Sequence, residues 1–322
     1  MHNLTKFLTQ FRKLRRAHNN GGAPHKPILL LAILSGIEKG EIANNRISIT
    51  PELVISFKEI WQILVNSAHI STFALPFFHM RSEPFWKLVS LPGAEIAINN
   101  SHSFKSFAAL RSSVAYAEIN SELFQLMMKP IEREIFRESI LSQYFPTTKH
   151  NLSSNKGKGI IYNIEQEILH TKASEYQEKY QQLKLQLNQE ELEEETFIRG
   201  GVFKREIPKL YKQRCAISGM RIISSNNAQM VDACHIIPFS NSNDDTVGNG
   251  ISLSPNLHRA FDRGLITINN DYRVRVSPSI KEDHSPFSLS QFEGKEIILP
   301  EKIEFHPLKE NLVWHQNQVW IN

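Results

Sequence analysis

Two neighbouring stretches, Met230-Val-Asp-Ala-Cys-His-Ile-Ile-Pro238 and Gly250-Ile-Ser-Leu-Ser-Pro255, decide the fold of the C-terminal part of the chain. The first stretch has the apolar content of a β-strand, and proline ends it because proline cannot donate a ladder hydrogen bond. The second stretch opens with a short strand. Its serine and proline are then typical of a helix start, with serine at the N-cap and proline at the first helical position. The pattern therefore predicts two strands followed by a helix.

The predicted helix carries two pairs of side chains at helical spacing. His258 and Asp262 are four residues apart, so both project from one face and can hold a common cation. Arg259 and Arg263 form a second pair, which suits either phosphate contact or an ordinary solvated surface, and both interpretations stay open. Gly264 is the residue type expected just after a helix C-terminus.

Two further features lie beyond this helix. Residues 265–268 and 272–276 alternate apolar and polar side chains around Asn269-Asn-Asp271, which predicts a β-hairpin. His315, near the C-terminal end of the sequence, is expected to have a structural role.

The order of these residues resembles the HNH nuclease motif, also called ββα-metal. A strand with His235, a loop with Asn249 and a helix with His258 follow one another as they do in that motif. The resemblance implies that His235 is the general base, that Asn249 orients it, and that His258 and Asp262 bind a divalent cation. Mg²⁺ or Mn²⁺ is the main expectation and Zn²⁺ is the alternative. These residue types suit phosphodiester hydrolysis, because a neutral imidazole accepts a proton from water and a cation stabilises the charge that develops.

The identity of a third metal ligand depends on two residues of the first strand. Many HNH nucleases have an acidic residue or a histidine directly before the base, where this chain has Cys234. Strand alternation puts Asp232 on the same side as Cys234. A thiolate is a poor ligand for Mg²⁺ and a good one for Zn²⁺. We therefore predict Asp232 as the third ligand and Cys234 as a packing residue. The chain has two cysteines, too few for a four-cysteine zinc site.

The first 147 residues read as a mainly helical domain with a small extended element. Periodicity predicts helices near residues 4–11, 28–34, 51–65 and 120–143, and short extended segments over 75–79 and 84–88. Residues 1–150 carry 17 Lys and Arg against 11 Asp and Glu, and no acidic residue precedes Glu38. Such positive charge attracts a polyanion, although charge alone also suits a solvated helix face.

Three short motifs of this domain, Pro24-His-Lys-Pro27, Leu75-Pro-Phe-Phe-His79 and Phe85-Trp-Lys-Leu88, resemble the sulfur-binding domain that precedes HNH modules in type IV restriction enzymes. The resemblance implies recognition of phosphorothioate DNA, in which sulfur replaces a non-bridging phosphate oxygen. Pro76, with Leu75 beside it, would line an apolar cup for the sulfur atom. The aromatic residues of the motifs are read as core. The DNA contacts predicted from the resemblance and from positive charge are His25, Lys26, His79, Arg15, Arg16 and Arg259.

Between the two domains, residues 147–158 are polar and suit a linker. Residues 160–196 then carry nine acidic residues and three lysines, with apolar residues at helical spacing, which predicts one long amphipathic helix. Its negative charge argues against its lying on DNA. A spacer is the favoured interpretation, and a helix that forms a homodimer is the alternative.

These patterns predict an α+β chain in three parts: a mainly helical DNA-recognition domain over residues 1–147, a linker with a long helix over 148–196, and an HNH nuclease domain over 197–322. The leading hypothesis is a modification-dependent restriction endonuclease that acts on double-stranded DNA. Two alternatives stay open: an HNH nuclease for unmodified or otherwise modified DNA, and a DNA-binding protein whose degenerate nuclease fold does not cut. The sequence has neither a signal-peptide pattern nor ~18 consecutive apolar residues, which predicts a cytoplasmic protein without a membrane partner.

Overall fold

The computed structural model describes residues 2–17, 21–94, 106–154, 159–224, 229–283 and 285–322. The chain forms two compact units. Unit 1 comprises Met1–Ile160 and Leu187–Ile198, and unit 2 comprises Ile161–Gln186 and Arg199–Asn322. Residues 155–158 of the predicted polar linker lie outside the described residues. None of the described helices has the length and apolar content to cross a lipid bilayer.

Unit 1 is mainly helical, as predicted. A three-stranded antiparallel sheet in the order β1-β3-β2 accompanies the helices. The elements are α1 His2–Arg12, α2 His25–Glu38, β1 Arg46–Ile47, α3 Pro51–Leu64, α4 Ala74–His79, β2 Trp86–Ser90, α5 Phe107–Ser113, β3 Val114–Ile119, α6 Ser121–Met128, α7 Pro130–Tyr144 and α8 Asn151–Ser154.

Helix α2 forms the centre of unit 1 because its residues 28–34 are all apolar and all buried. It packs against α3, α4, α6 and α7. The next helix, α3, begins where the side chain of Thr50 accepts a hydrogen bond from the backbone N–H of Leu53 at 3.2 Å, with Pro51 at the first helical position. The predictions of a buried second helix and of a third helix near 51–65 are confirmed.

The prediction of an extended segment over residues 75–79 is wrong, because Ala74–His79 form helix α4. Phe73 and Phe77, four residues apart, are both buried with their ring centroids 5.6 Å apart, so core packing favours a helical turn here. Pro76 lies in the first turn of α4, where its missing N–H breaks no helical hydrogen bond. The second predicted extended segment corresponds to strand β2.

The prediction of one long helix over residues 160–196 is also wrong. The structure has three helices, α9 Ile160–His170, α10 Ala173–Gln186 and α11 Gln189–Leu210. Asn188 and Glu191 explain the second break, because each side chain accepts a hydrogen bond from the backbone N–H of the other, as in a helix N-terminal capping box. Residues 161–186 belong to unit 2 and 187–198 to unit 1, so this segment is not a separate spacer.

The apolar residues predicted to form the stripe of that helix differ in burial. Ile164 and Ile168 of α9 and Tyr176 and Tyr180 of α10 are all buried. The other three, Ile161, Leu183 and Leu187, are partly exposed, and the homodimer stays a prediction.

The remaining part of unit 2 contains the predicted strand-strand-helix pattern. Strands β4 Asp232–His235 and β5 Gly250–Leu253 are antiparallel, with His235 opposite Gly250. The further elements are α12 Phe239–Ser242, α13 Pro255–Asp262, β6 Ile266–Ile268, β7 Val274–Val276 and α14 Lys309–Gln318. Strands β6 and β7 form the predicted hairpin. Gly264 follows α13 with a φ of 68°, as expected for a residue after a helix C-terminus.

Candidate active site

His235 lies at the end of β4, with its side chain partly exposed. Its ring stacks on Phe203 of α11, with centroids 3.9 Å apart and an interplanar angle of 8°. Its Nε2 atom lies 2.8 Å from Oδ1 of Asp245, which is buried. A carboxylate only accepts hydrogen bonds, so Nε2 carries the hydrogen and Nδ1 of a neutral ring keeps its lone pair. His235 is therefore suited to accept a proton at Nδ1.

Asn249 is fully buried, and its side chain binds the loop that follows β4 rather than the histidine ring. Its Oδ1 accepts from the backbone N–H of Ile237 at 2.8 Å, and its Nδ2 donates to the carbonyl groups of Ile237 and Asp244, both at 2.9 Å. The prediction that Asn249 orients His235 therefore needs a correction. Asn249 fixes the backbone of the loop, and Asp245 is the residue whose side chain contacts the ring.

A cluster of possible metal ligands lies between β4 and α13. One ligand atom each of Cys234, His258 and Asp262 lies within 4.8 Å of the other two. Nε2 of His258 is 3.4 Å from Oδ2 of Asp262. Helix α13 thus brings His258 and Asp262 together at i and i+4, as predicted. Cys234 occupies the place that we predicted for Asp232.

Asp232 contacts the other side of the histidine ring, with its Oδ2 atom 3.4 Å from Nδ1 of His258. A hydrogen bond from Nδ1 to this carboxylate leaves the lone pair of Nε2 on the side of Asp262 and Cys234. Carboxylates often orient metal-binding histidines in this way. The geometry therefore favours Asp232 as an orienting residue and Cys234 as the third ligand, opposite to the roles given to them from the sequence.

The chemistry of this donor set fits a divalent cation with affinity for sulfur. Burial raises the pKa of the Cys234 thiol well above its ordinary value, and the neighbouring carboxylates of Asp262 and Asp232 raise it further. A cation at this position supplies the positive charge that favours a thiolate. One thiol, one imidazole and one carboxylate suit Zn²⁺ better than Mg²⁺, which prefers oxygen ligands.

Arg259 and Arg263, the second pair on α13, are exposed. No ion pair to another described residue of the chain is found for either of them. Exposure suits both phosphate contact and an ordinary solvated surface, so the DNA contact of Arg259 stays a prediction.

In unit 1, two predicted DNA-contacting residues have partners within the fold. Lys26 is buried, and its Nζ donates to Glu83 at 2.5 Å and to Ser82 at 2.7 Å. The pKa of Lys26 is lowered, chiefly by burial, although the contact with Glu83 acts in the opposite direction. His25 packs on Trp61, with ring centroids 4.6 Å apart, and its Nε2 donates to the carbonyl of Ile70 at 2.9 Å. Lys26 is thus neutralised inside unit 1, which argues against the predicted phosphate contact.

The residues of the predicted apolar cup differ in exposure. Pro76 is buried, whereas Leu75 is 36% exposed. His79, at the end of the same helix, is half-buried, and its pKa is lowered by burial and by the positive charges of Lys26 and Arg81. Of the two predicted cup residues, only Leu75 is therefore exposed, and the apolar cup stays a prediction.

The basic residues that follow α1, Lys13, Arg15 and Arg16, differ in exposure. Lys13 and Arg15 are exposed. Arg16 donates to the carbonyl of Ala23 at 3.2 Å and lies over the ring of Tyr144, with Cζ 4.3 Å from its centroid. Arg16 thus has a structural role, which its charge in the sequence did not indicate.

The sequence did not identify three residues of this site: Asp245 and Phe203, which contact the ring of His235, and Tyr176, which contacts Asp245. The acidic pair Asp244-Asp245 just before Gly248-Asn-Gly250 is a signal in the sequence, although the pair alone does not distinguish Asp245 from its neighbour. Phe203 and Tyr176 lie on helices before the strand-strand-helix pattern, and their spacing indicates only an amphipathic helix. Their contact with the site is a consequence of tertiary packing.

Comparisons with known proteins cover part of the chain. A family model described as HNH endonuclease matches residues 215–269. No curated protein matches the chain. Among solved structures, the chain is similar to a modification dependent TagI restriction endonuclease, with 21% identity, a TM-score of 0.27, and coverage of 36% of this chain and 37% of that chain. The chain thus spans well under half of that relative's length. The segment that matches the HNH endonuclease family model, residues 215–269, contains the strand-strand-helix pattern and the residues that it brings together.

Proposed function

We propose that the protein is a metal-dependent endonuclease that hydrolyses phosphodiester bonds in double-stranded DNA. The observation that carries the proposal is the arrangement around β4 and α13. His235 has Nδ1 available as a proton acceptor, and the adjacent residue Cys234 forms a cluster with His258 and Asp262. A general base beside a cation site is what hydrolysis of an unactivated phosphodiester requires.

The residues divide the chemistry as follows. His235 accepts the proton of the attacking water at Nδ1. Cys234, His258 and Asp262 would hold a divalent cation, and Asp232 contacts the ring of His258 so as to orient it. When bound, the cation stabilises the charge of the transition state and of the departing oxygen. Arg259 and Arg263 contact phosphates on either side of the bond that is cut.

Cleavage of supercoiled plasmid by the purified full-length chain tests this proposal. We expect nicking in the presence of Mg²⁺, Mn²⁺ or Zn²⁺, and a loss of roughly 10²- to 10⁴-fold in rate for His235→Ala, the contribution typical of a general base. DNA affinity is expected to stay unchanged, because the base acts on water. A chain that nicks no DNA with any of the three cations would be a DNA-binding protein with a degenerate nuclease fold.

We further propose that unit 1 directs the nuclease to modified DNA, with phosphorothioate as the modification. Support comes from an exposed apolar residue in a unit that also carries exposed basic residues. Leu75 offers a surface for a soft, weakly hydrated sulfur atom, and His79 ends the same helix. The exposed side chains of Lys13 and Arg15 provide charge for the DNA backbone.

Target choice is tested with full-length His235→Ala protein and matched duplexes with and without one phosphorothioate. We expect tighter binding of the modified duplex, and we expect Leu75→Asp to remove the preference while retaining residual binding. Ile131→Asp, at an apolar residue of α7 that is more exposed than Leu75, is the matched control and is expected to keep the preference. Equal affinity of the unaltered protein for both duplexes would favour an unmodified or otherwise modified target.

A further inference from the structure

The carboxylate that contacts His235 is itself held by a buried residue of another helix. Asp245 is 1% exposed, and its Oδ2 atom accepts a hydrogen bond from the hydroxyl of Tyr176 at 3.2 Å. Its other oxygen, Oδ1, contacts His235. Burial raises the pKa of Tyr176, and the charge of Asp245 raises it further, so the hydroxyl keeps its hydrogen and remains a donor. Asp245 is thus fixed at both oxygens.

Tyr176 is in turn held by charged residues of the neighbouring helices. The guanidinium of Arg199 lies over its ring, with Cζ 5.5 Å from the ring centroid. Arg199 is buried and donates to Glu167 of α9 at 2.8 Å, and Glu167 also pairs with Lys179. A buried guanidinium keeps a fixed position when its charge is paired in this way. The ring of Tyr176 therefore has little freedom to move away from Asp245.

Helix α10 also binds the loop that carries Asp245. Gln177 donates to the carbonyl of Ser242 at 2.9 Å, and Lys184 donates to Oδ1 of Asn243 at 3.0 Å. The ring of Tyr180 contacts that of Phe239 edge-on, with centroids 5.2 Å apart. One face of α10 thus follows this loop over residues 239–245.

From these contacts we infer that Asp245 is the positioning residue for His235 and that Tyr176 holds Asp245 in place. This inference rests on the proposed role of His235 as general base. Tyr176, Arg199 and Phe203 all precede the segment that matches the HNH family, residues 215–269. The set of residues that holds Asp245 and His235 in place thus extends beyond the HNH motif to helices α9, α10 and α11.

The physical role of Asp245 is to select one tautomer of the ring and to stabilise its protonated form. With Nε2–H donating to Asp245, the water proton is received at Nδ1 as the water oxygen bonds to phosphorus and the departing oxygen leaves. The ring then carries a positive charge next to a buried carboxylate, which stabilises it. The carboxylate of a Ser-His-Asp triad acts on its histidine in the same way.

The variant Asp245→Asn tests this role in the full-length protein. An asparagine amide that donates to Nε2 favours the opposite tautomer, with hydrogen on Nδ1. We expect the kcat for plasmid cleavage to fall by roughly 10²- to 10⁴-fold with unchanged DNA affinity. A second readout needs no cleavage. The ¹⁵N chemical shifts of the His235 ring in metal-free protein report its tautomer, and we expect the hydrogen on Nε2 in the unaltered chain and on Nδ1 in the variant.

A second variant, Tyr176→Phe, removes only the hydroxyl and keeps the buried ring. We expect kcat, measured well below the thermal midpoint, to fall about tenfold, as for loss of one hydrogen bond to a charged group, with DNA affinity unchanged. The thermal midpoint is expected to fall by a few degrees, because the buried carboxylate of Asp245 loses one partner. Tyr272→Phe is the matched control, because its hydroxyl donates to the carbonyl of Pro307 at 3.0 Å and contacts no residue of the proposed site. This control is expected to cleave as the unaltered chain does. If Asp245→Asn fails to fold, Tyr176→Phe decides the question.

The outcomes separate the inference from the proposed function. The inference is overturned, and the proposed function is left intact, if His235→Ala is inactive while Asp245→Asn is fully active. If Asp245→Asn does not fold, full activity of Tyr176→Phe has the same meaning. Full activity of His235→Ala overturns the proposed role of His235 and the inference together. Loss of activity in Asp245→Asn with an unchanged ring tautomer also overturns the positioning role.

Discussion

At the scale of single residues, the question is whether Asp232 or Cys234 is the third ligand of the candidate metal site. The sequence favoured the carboxylate as ligand, because Mg²⁺ prefers oxygen. In the structure the ligand atoms of Cys234, His258 and Asp262 lie within 4.8 Å of one another, whereas the carboxylate of Asp232 lies 3.4 Å from Nδ1 of His258, on the other side of the ring. An exchange of roles between two residues of one strand is a matter of side-chain direction, which alternation alone does not resolve.

We expect Cys234→Ser to weaken Zn²⁺ binding more than Asp232→Asn does. Removal of an orienting carboxylate costs roughly 10- to 100-fold in metal affinity, and loss of a direct ligand is expected to cost more. Competition with a chelator of known affinity measures both values in the full-length protein. Equal Zn²⁺ affinity of Cys234→Ser and the unaltered chain would return Cys234 to a packing role.

At the scale of elements, the C-terminal end of α13 depends on a single glycine. Gly264 has a φ of 68°, and a Cβ atom there would lie 2.0 Å from the backbone oxygen of Val319. Gly294 has a similar φ of 70° with no atom within 4 Å of its would-be Cβ, so it isolates the cost of the backbone conformation. We expect Gly294→Ala to cost about 1 kcal/mol of unfolding free energy, and Gly264→Ala about 2–4 kcal/mol. Denaturant unfolding checks the difference, and equal costs would exclude the contact with Val319 as its cause.

Helix α14 attaches to α13 and β6 through a buried histidine. The Nε2 of His315 donates to the carbonyl of Phe261 at 3.1 Å, and its Nδ1 accepts from the hydroxyl of Thr267 at 2.9 Å. Burial lowers the pKa of His315 to about 4 from 6.5. The structural role expected for this residue agrees with these contacts.

The lowered pKa of His315 predicts a loss of stability in acid. Below pH 6.5 the unfolded chain binds a proton that the folded chain does not bind until about pH 4. Stability therefore falls as pH decreases through this window, by about 3 kcal/mol in total. Thermal midpoints of unit 2 between pH 7 and pH 4 measure the slope. His315→Gln, which cannot titrate, is expected to show a smaller slope, and an identical slope would assign the acid sensitivity to other groups.

At the scale of the whole molecule, we expect exposed basic residues to contribute to DNA affinity and buried basic residues not to contribute. Lys13 and Arg15 are exposed, whereas Lys26 is buried against Glu83. We expect the double variant Lys13→Gln, Arg15→Gln to lower the slope of log affinity against log salt by about 2, because each lost phosphate contact contributes about 0.9. Lys26→Gln is expected to leave the slope unchanged. Duplex binding by full-length His235→Ala protein at several salt concentrations tests this contrast, and a lower slope for Lys26→Gln would mean that Lys26 reaches DNA.

Much of the fold could be predicted from local sequence. The strand, strand and helix around His235, Asn249 and His258 were predictable because capping residues, proline and glycine act on their immediate neighbours. Helix α4 and the division of residues 160–196 into three helices were not. Helix α4 depends on the burial of Phe73 and Phe77. The break before α11 depends on the capping pair Asn188 and Glu191, and hydrophobic periodicity over a long window does not detect a pair of polar residues.

The sequence by itself determined which residue types the candidate site contains: an imidazole proposed as the base, an i and i+4 pair of possible metal ligands, and the strand-strand-helix unit that presents them. Only the tertiary structure decided which side chains meet. It placed Asp245 rather than Asn249 on the ring of His235, Cys234 rather than Asp232 among the ligand atoms, and Tyr176 behind Asp245. The reason is the distance along the sequence over which each kind of interaction acts. Backbone propensity and capping act over a few residues, whereas the partner of a buried polar group is set by the packing of helices that lie tens of residues away in the sequence.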